Sequence, residues 1–217
     1  MPEVLAGAAL AIAAFERTVL ANRAPFQQWL RGDESALSAQ ELRGGILFFG
    51  EAGCVQCHRG PALSSEQGAT EDQMFFAVGF SDLDTSDSRI HGNIAEADRR
   101  GRGGFTTRPQ DNFKFKIPPL YNLADNDFMG HGASFQTIRS VVEYKNRAAA
   151  QNAAASDSLD SRFQPLGLTT EEITDLVAFL ENALRDPELM RYQPDSVPSG
   201  HCLVVDPLTE IASHLCP

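Results

Sequence analysis

Apolar side chains recur at helical spacing in several segments of the chain. The clearest stripe lies between residues 170 and 185, where apolar positions follow one another at intervals of three or four residues. Its members are Ile173, Leu176, Val177, Leu180 and Leu184. Residues 135–149 carry a similar but less regular stripe. The pattern predicts helices over roughly 4–22, 25–31, 38–50, 135–149 and 170–185, with a short one near 207–214.

Two of the predicted helices begin with a capping box. In Ser38–Glu41 and again in Thr169–Glu172, a hydroxyl residue stands three positions before a glutamate. Residues 60–133, by contrast, are rich in Gly, Asp, Ser and Pro and show little periodicity. A loop of that length needs something beyond secondary structure to organise it, and a large buried cofactor would do so. We therefore expect an all-α fold with long irregular loops.

Composition and charge narrow the classes of function. A chain of 217 residues is long enough for one large domain or two small ones. Its apolar fraction of 42% and charged fraction of 22% are typical of a soluble globular protein. The net charge of -11 disfavours nucleic acids and anionic membranes as partners, and it would suit a surface that docks a basic redox protein. No segment has the roughly 18 to 20 consecutive apolar residues that a membrane span requires.

The segment Cys54-Val55-Gln56-Cys57-His58 carries the most specific chemical pattern in the chain. C-x-x-C alone fits a redox dithiol, half of a zinc site or a haem attachment site. The adjacent histidine favours haem c, because both thiols can add to haem vinyl groups while the histidine becomes the proximal iron ligand. A zinc site would need two further ligands, and a thioredoxin-like dithiol should follow a strand in a βαβ unit. We predict one covalent haem c.

Four stretches occur in the order expected of a known family. They read AIAAFERTVLANRAPFQQWLRGD, ALSAQELRGGILFFGEAGCVQCHRGPALSS, FKFKIPPLYNLADNDFMGHGASFQTIRSVVEYKN and PLGLTTEEITDLVAFLENAL. Together they closely resemble the C-terminal haem domain of the bacterial dihaem cytochrome c peroxidases, a group that includes MauG-type enzymes. The resemblance runs over about residues 8–185. It implies a cytochrome-c-like haem domain over residues 1–190, which leaves 191–217 as a C-terminal tail.

The resemblance also implies a function. Members of this family hold two covalent haems in two cytochrome-c-like domains; one haem reduces hydrogen peroxide, and the C-terminal one receives electrons from a small cytochrome or copper protein. This sequence has a single C-x-x-C-H. We therefore expect the electron-transfer half of a cytochrome c peroxidase, a haem-dependent oxidoreductase, with peroxide reduced at a second haem domain. The alternatives are a stand-alone monohaem electron carrier and a MauG-like oxidase acting on a protein substrate. A homodimer is also compatible with the resemblance.

The sixth ligand of the iron separates a haem that carries electrons from one that binds peroxide. By resemblance, the electron-transfer haem has a methionine there, whose thioether favours ferrous iron. Met129 lies in the loop where the family places this ligand. A different alignment brings Phe135 near the ligand position and leaves Met129 in the core. His131 is the rival ligand, and a site without any protein sixth ligand is the third alternative.

Two further binding features follow from the residues and the resemblance. The stretch 82–86 resembles the start of a calcium loop but lacks the glycine and glutamate of an EF-hand, so we interpret it as a solvated loop. Family members carry a calcium ion held partly by backbone carbonyls in the segment matching Lys116–Pro118, so calcium is a further implied cofactor. One or two basic side chains are expected to pair with the haem propionates. The candidates are Arg99, Arg100, Arg102, Arg108, Lys114 and Lys116.

The tail carries the other two cysteines. Haem c is attached on the oxidising side of the bacterial membrane, where disulfides also persist. A bridge between Cys202 and Cys216 would close about 15 residues and remove about 3 kcal/mol of unfolded-chain entropy in the chain-entropy model. We therefore expect this disulfide and a periplasmic protein. The N-terminal residues start acidic and do not read as a signal peptide.

Overall fold

The computed structural model describes residues 2–17, 20–65, 68–80 and 96–189. Residues 21–186 form one compact unit. The helices in chain order are α1 (Pro2–Glu16), α2 (Pro25–Leu30), α3 (Ala39–Phe49), α4 (Glu71–Met74), α5 (Glu96–Arg99), α6 (Arg102–Thr106), α7 (Ile138–Arg147) and α8 (Thr170–Ala178). Short 3₁₀ turns join them, and a π-helical turn, Phe179–Ala183, extends α8. The predicted all-α fold is confirmed.

Local signals set the starts of α3 and α8. The backbone N–H of Glu41 donates to Ser38 Oγ at 3.2 Å, and the N–H of Ser38 donates to Glu41 Oε2 at 2.6 Å. Thr169 and Glu172 form the same reciprocal pair. Each box satisfies amide groups that have no partner inside the first helical turn. Both predicted capping boxes are therefore confirmed.

Helices α3 and α8 lie against each other with their backbones in close contact. A Cβ added to Gly44 would lie 2.0 Å from the carbonyl oxygen of Asp175, so only glycine allows this approach. Beside it, the Arg43 guanidinium binds the Asp175 carboxylate at 2.6 and 3.0 Å. This ion pair holds the pKa of the buried Asp175 carboxyl below its usual value, against the effect of burial.

Two apolar clusters make up the core of residues 21–186. The larger one surrounds Phe48 and Phe179, which are almost fully buried, and joins α3, α7 and α8. The smaller one consists of Phe135, Tyr144 and Phe163, with Phe80 packed against them. Tyr144 donates a hydrogen bond from its hydroxyl to the carbonyl of Val78 at 2.5 Å, which satisfies the polar end of a buried ring. Candidate site residues, among them Cys54 and Met129, contact these clusters.

The segment 60–133 holds short elements that its sequence pattern does not reveal. Two strands, β1 (Phe75–Phe76) and β2 (Phe115–Lys116), pair antiparallel, with Phe76 opposite Phe115. An ion-pair network lies beside them, in which Glu71 contacts Arg102 at 2.6 Å and Arg108 at 2.9 Å. Strands of two residues and helices of four or five are too short to give a periodic signal. They account for the order within this predicted loop region.

The ends of the chain differ in part from the predicted pattern. The helix predicted over 4–22 ends at Glu16, and residues 20–23 are not helical. The backbone N–H groups of Asn22 and Arg23 instead donate to Asp186 Oδ2, each at 3.0 Å, so a tertiary contact takes the place of helical bonds. The helix predicted at 207–214 lies outside the described residues, and the division into 1–190 and 191–217 stays a prediction. Of the helices described, none is long and apolar enough to cross a membrane.

Candidate haem-binding site

Cys54, Cys57 and His58 lie on a tight turn that follows α3. Gly53 takes a left-handed conformation with φ 61°, and a Cβ there would lie 2.6 Å from the Gln56 side chain. The N–H groups of Cys57 and His58 then both donate to the carbonyl of Cys54, at 3.2 and 2.9 Å. Residues three apart in a 3₁₀ turn lie on the same side. The turn therefore presents both thiols together and places the histidine directly after them.

The ring of His58 is oriented by a neighbouring loop. Its Nδ1 lies 2.9 Å from the carbonyl oxygen of Leu63. That carbonyl is fixed because Leu63 ends a tight turn with a left-handed φ of 49°, closed by two hydrogen bonds between Arg59 and Ser64. An Nδ1–H that donates to a carbonyl leaves the lone pair on Nε2, which is the arrangement of a metal-ligating histidine.

Burial keeps this histidine neutral. It lowers the pKa of His58 to about 4, although the carbonyls of Leu63 and Pro118 act in the opposite direction. The ring lies 6.5 Å from that of Phe48, in the larger apolar cluster. A neutral imidazole is the form that binds a metal. At neutral pH His58 is thus ready to serve as an iron ligand.

The two cysteines are half-buried, and their thiols are not joined in a disulfide. Burial raises the pKa of the Cys54 thiol to about 11 and also raises that of Cys57. A redox dithiol needs the opposite, a thiol whose pKa is lowered so that it attacks as a thiolate. The turn also follows a helix and not the strand of a βαβ unit. The redox-dithiol interpretation therefore finds no support in the geometry.

A zinc site is equally unsupported. Across the part of the chain that the structure describes, no three or more His, Cys, Asp or Glu side chains are grouped to hold a metal ion. The donor set of Cys54, Cys57 and His58 instead fits haem c, since it offers two neutral thiols and one imidazole lone pair beside an apolar core. These three residues would hold the group, as the sequence predicts.

The two candidate sixth ligands lie in different surroundings. Met129 is half-buried and packs against both apolar clusters, the larger of which also contacts Cys54. Its backbone pairs with Phe135 through hydrogen bonds of 2.8 and 3.2 Å, while the Phe135 ring is buried in the smaller cluster. His131 is exposed, and its ring stacks on Phe115 with centroids 3.8 Å apart. Of the two side chains, Met129 is the one that the fold brings into the apolar interior.

The chain was compared with protein families, curated proteins and solved structures. No family model matches the chain. The cytochrome-c peroxidase IdrP1 of Denitromonas iodatirespirans is 33% identical over 218 residues, covering 88% of this chain and 53% of that protein. The methylamine utilization protein MauG of Methylorubrum extorquens is 30% identical, covering 82% of this chain and 44% of that protein. The crystal structure of a MauG-like protein associated with microbial copper homeostasis matches with 29% identity and a TM-score of 0.65, over 83% of this chain and 57% of that one.

The chain is similar over most of its length to members of the dihaem cytochrome c peroxidase and MauG family. It spans about half the length of the curated relatives that it matches. The resemblance seen in the four sequence stretches is therefore confirmed.

Several basic residues expected at the propionates have other partners. Arg102 and Arg108 both bind Glu71 and lie within 3.5 Å of Asp111, and Lys114 lies 3.7 Å from the same aspartate. This network joins α4, α6 and the turn that precedes β2. The propionate role of these residues stays a prediction.

Calcium binding, the loop at 82–86 and the disulfide of the tail remain predictions. In the segment implied for calcium, the carbonyl of Ile117 accepts a hydrogen bond from Ser64 Oγ at 2.9 Å, and calcium binding stays a prediction. The stretch 82–86 and both cysteines of the predicted disulfide, Cys202 and Cys216, lie outside the described residues.

One residue of the site was not found from the sequence. Lys145, on α7, is half-buried, and its amine acts electrostatically on Cys54, Cys57 and His58. A lysine at the end of an amphipathic helix is ordinarily a surface residue, so no local signal marks it. Only the packing of α7 against the loops brings it to the site.

Proposed function

We propose that this chain carries one covalent haem c and is the electron-transfer domain of a cytochrome c peroxidase. Electrons would come from a small cytochrome or copper protein and pass to a second haem domain, where hydrogen peroxide is reduced. The observation that carries the proposal is the donor set on one turn: two half-buried thiols followed by a neutral histidine whose Nε2 is left for iron. The curated relatives named cytochrome-c peroxidase support the reaction class.

The protein's own residues would make the attachment. Each thiol S–H would add across one vinyl double bond, so that sulfur would bond to one carbon, hydrogen would go to the other and no electrons would be exchanged with an outside reagent. His58 would donate its Nε2 lone pair to the iron, with Nδ1–H held by the Leu63 carbonyl. When bound, the haem supplies an iron that changes by one electron between its ferric and ferrous states.

The surroundings of the site favour electron transfer over reaction with solvent. The large apolar cluster lies beside Cys54 and contains the buried side chains of Phe48, Leu63 and Leu120. An apolar environment excludes water from the iron and raises its reduction potential. Met129 is proposed as the sixth ligand, because its thioether lies in the same apolar interior. His131 would serve only if its loop turned the ring away from Phe115.

A second function is favoured by a specific observation. The chain is also similar to MauG and to a MauG-like protein of known structure. A MauG-like oxidase acting on a protein substrate would need an iron whose sixth ligand is not methionine. The identity of that ligand, tested below, therefore separates the two functions.

The remaining features of the proposal concern the setting of the protein. Covalent haem attachment and the predicted disulfide both point to the periplasm. The net charge of -11 suits a basic electron donor, which long-range attraction would steer to the surface. A calcium ion and a homodimer are further proposals that rest on the family resemblance.

Expression with a haem c maturation system tests the attachment. The intact protein should gain the mass of one haem, and acid–acetone should leave that haem on the chain. Cys57→Ser should keep at most one thioether and Cys54→Ser/Cys57→Ser should lose covalent haem altogether, because no other thiol is on this turn. The double variant Cys202→Ser/Cys216→Ser is the matched control and should keep the full mass. A wild-type protein from which the haem extracts freely would overturn the proposal.

A further inference from the structure

Lys145 places an isolated positive charge in the interior of the site. Its nitrogen lies over the rings of Phe80, Phe163 and Tyr144, at 4.7, 5.0 and 5.7 Å from their centroids. Among the residues that the structure describes, no carboxylate and no hydrogen-bond acceptor contacts this amine. An unpaired lysine among aromatic rings is costly for the fold, since its burial opposes the charged form. A feature of that kind indicates a role other than packing.

The amine keeps its proton in this environment. Burial lowers the pKa of Lys145 to about 8, which leaves the ammonium form dominant at pH 7. The three rings stabilise that form, because the negative face of an aromatic ring attracts a cation. The side chain is therefore mainly positively charged at pH 7.

This charge acts electrostatically on the three residues that would hold the haem. It lowers the pKa of Cys54, of Cys57 and of His58, in each case by less than burial changes that pKa. The aromatic rings around the amine belong to the smaller apolar cluster, which also contacts Met129. The ammonium thus lies against the apolar cluster that the proposed sixth ligand, Met129, also contacts.

We propose that Lys145 acts as a fixed charge that raises the reduction potential of the haem iron. Reduction removes one positive charge from the iron, so a cation nearby favours the ferrous state. At an effective dielectric constant of about 20, a unit charge about 10 Å away changes the ferrous-to-ferric ratio at a given potential by about tenfold. This inference rests on the proposed haem attachment and deepens it, since a high potential suits a haem that accepts electrons.

The test compares the midpoint potentials of haem-loaded proteins by spectroelectrochemistry at pH 7. Lys145→Met removes the charge at similar side-chain length, and Lys145→Arg keeps it. Arg147→Met is the matched control, because it removes one charge from the same helix at a side chain that is 64% exposed. We expect the ferrous-to-ferric ratio at a fixed potential to fall about tenfold in Lys145→Met. Lys145→Arg should stay near wild type, and Arg147→Met should change little because solvent screens its charge.

The other outcomes are distinguishable. A loaded Lys145→Met protein with an unchanged midpoint would overturn the inference while leaving the haem proposal standing. A changed ligand-field spectrum in both Lys145 variants would also overturn it, because the amine would then be an iron ligand and not a fixed charge. If Lys145→Met does not fold, Lys145→Gln provides the same comparison with a polar, neutral side chain. A wild-type chain without covalent haem would refute the proposed function itself, and the intact mass shows this before any potential is measured.

Discussion

Gly44→Ala tests the close contact between α3 and α8, the first of which leads into the turn that carries Cys54, Cys57 and His58. In the native structure an added Cβ would lie 2.0 Å from the carbonyl oxygen of Asp175 and 2.8 Å from Phe179 Cβ. Both neighbours are parts of α8 and its π-helical extension, and neither can rotate away as the end of a flexible side chain could. The two helices must therefore move apart, which disturbs the packing of Phe48 and Phe179.

Two effects of opposite sign determine how much Gly44→Ala changes the free energy of unfolding. Alanine in place of glycine inside a helix stabilises by about 1 kcal/mol through propensity. Overpacking in a core costs about 1–3 kcal/mol, and the upper end applies here because the obstacle is a backbone carbonyl. The free energy of unfolding should therefore fall by about 2 kcal/mol. In a chain of this size that loss lowers the Tm by about 4–8 °C.

Gly45→Ala is the matched control on the same helix. Its Cβ would lie 3.2 Å from the ring edge of Phe179, a contact that a shift of a few tenths of an ångström relieves. The propensity gain is the same, so the free energy of unfolding should change by less than about 1 kcal/mol. Urea unfolding of both haem-loaded proteins, followed by far-UV circular dichroism, gives the two values. If Gly44→Ala is as stable as Gly45→Ala, the close backbone contact is wrong.

Three further predictions concern the ion pair, the sixth ligand and the tail. Because Arg43 holds the pKa of Asp175 below its ordinary 3.8, the pair stabilises the fold above that pH and loses its effect as pH falls through the lowered folded-state pKa. Arg43→Met should destabilise the protein at pH 7 and remove this acid-induced loss. Urea unfolding at pH 7 and at a pH below the folded-state pKa of Asp175 measures both effects. Met129→Ala should abolish the thioether-to-iron charge-transfer band of the ferric protein, and an unchanged spectrum would eliminate this ligand. Non-reducing peptide mapping after export should find Cys202 linked to Cys216, whereas alkylation of both without reduction would contradict the disulfide.

The family resemblance and the proposed attachment motif could be inferred from the sequence because their signals are local. The two thiols and the histidine occupy five consecutive positions, and each capping box spans four residues. Interactions over so short a distance depend little on the rest of the fold. The amphipathic stripe of α8 is local in the same sense, since its period alone reveals the buried face.

Local signals failed where distant contacts compete with them. The helix predicted over 4–22 ends at Glu16. At its predicted end the backbone N–H groups of Asn22 and Arg23 instead donate to the Asp186 carboxylate, from the other end of the compact unit. The short strands in the segment 60–133 likewise exist because Phe75 and Phe76 pair with a partner some forty positions away. A short window of consecutive residues never contains both partners of such a contact.

The sequence by itself thus determined the C-x-x-C-H motif, the main helices and the family resemblance, because each of these depends on residues that are close together along the chain. The tertiary structure alone decided which ring nitrogen of His58 donates a hydrogen bond, because that depends on the position of the Leu63 carbonyl. It also decided that the half-buried Lys145 has its amine over the rings of Phe80, Tyr144 and Phe163. The charge and the protonation of a site depend on everything packed around it, and that packing brings together residues that lie far apart in the chain.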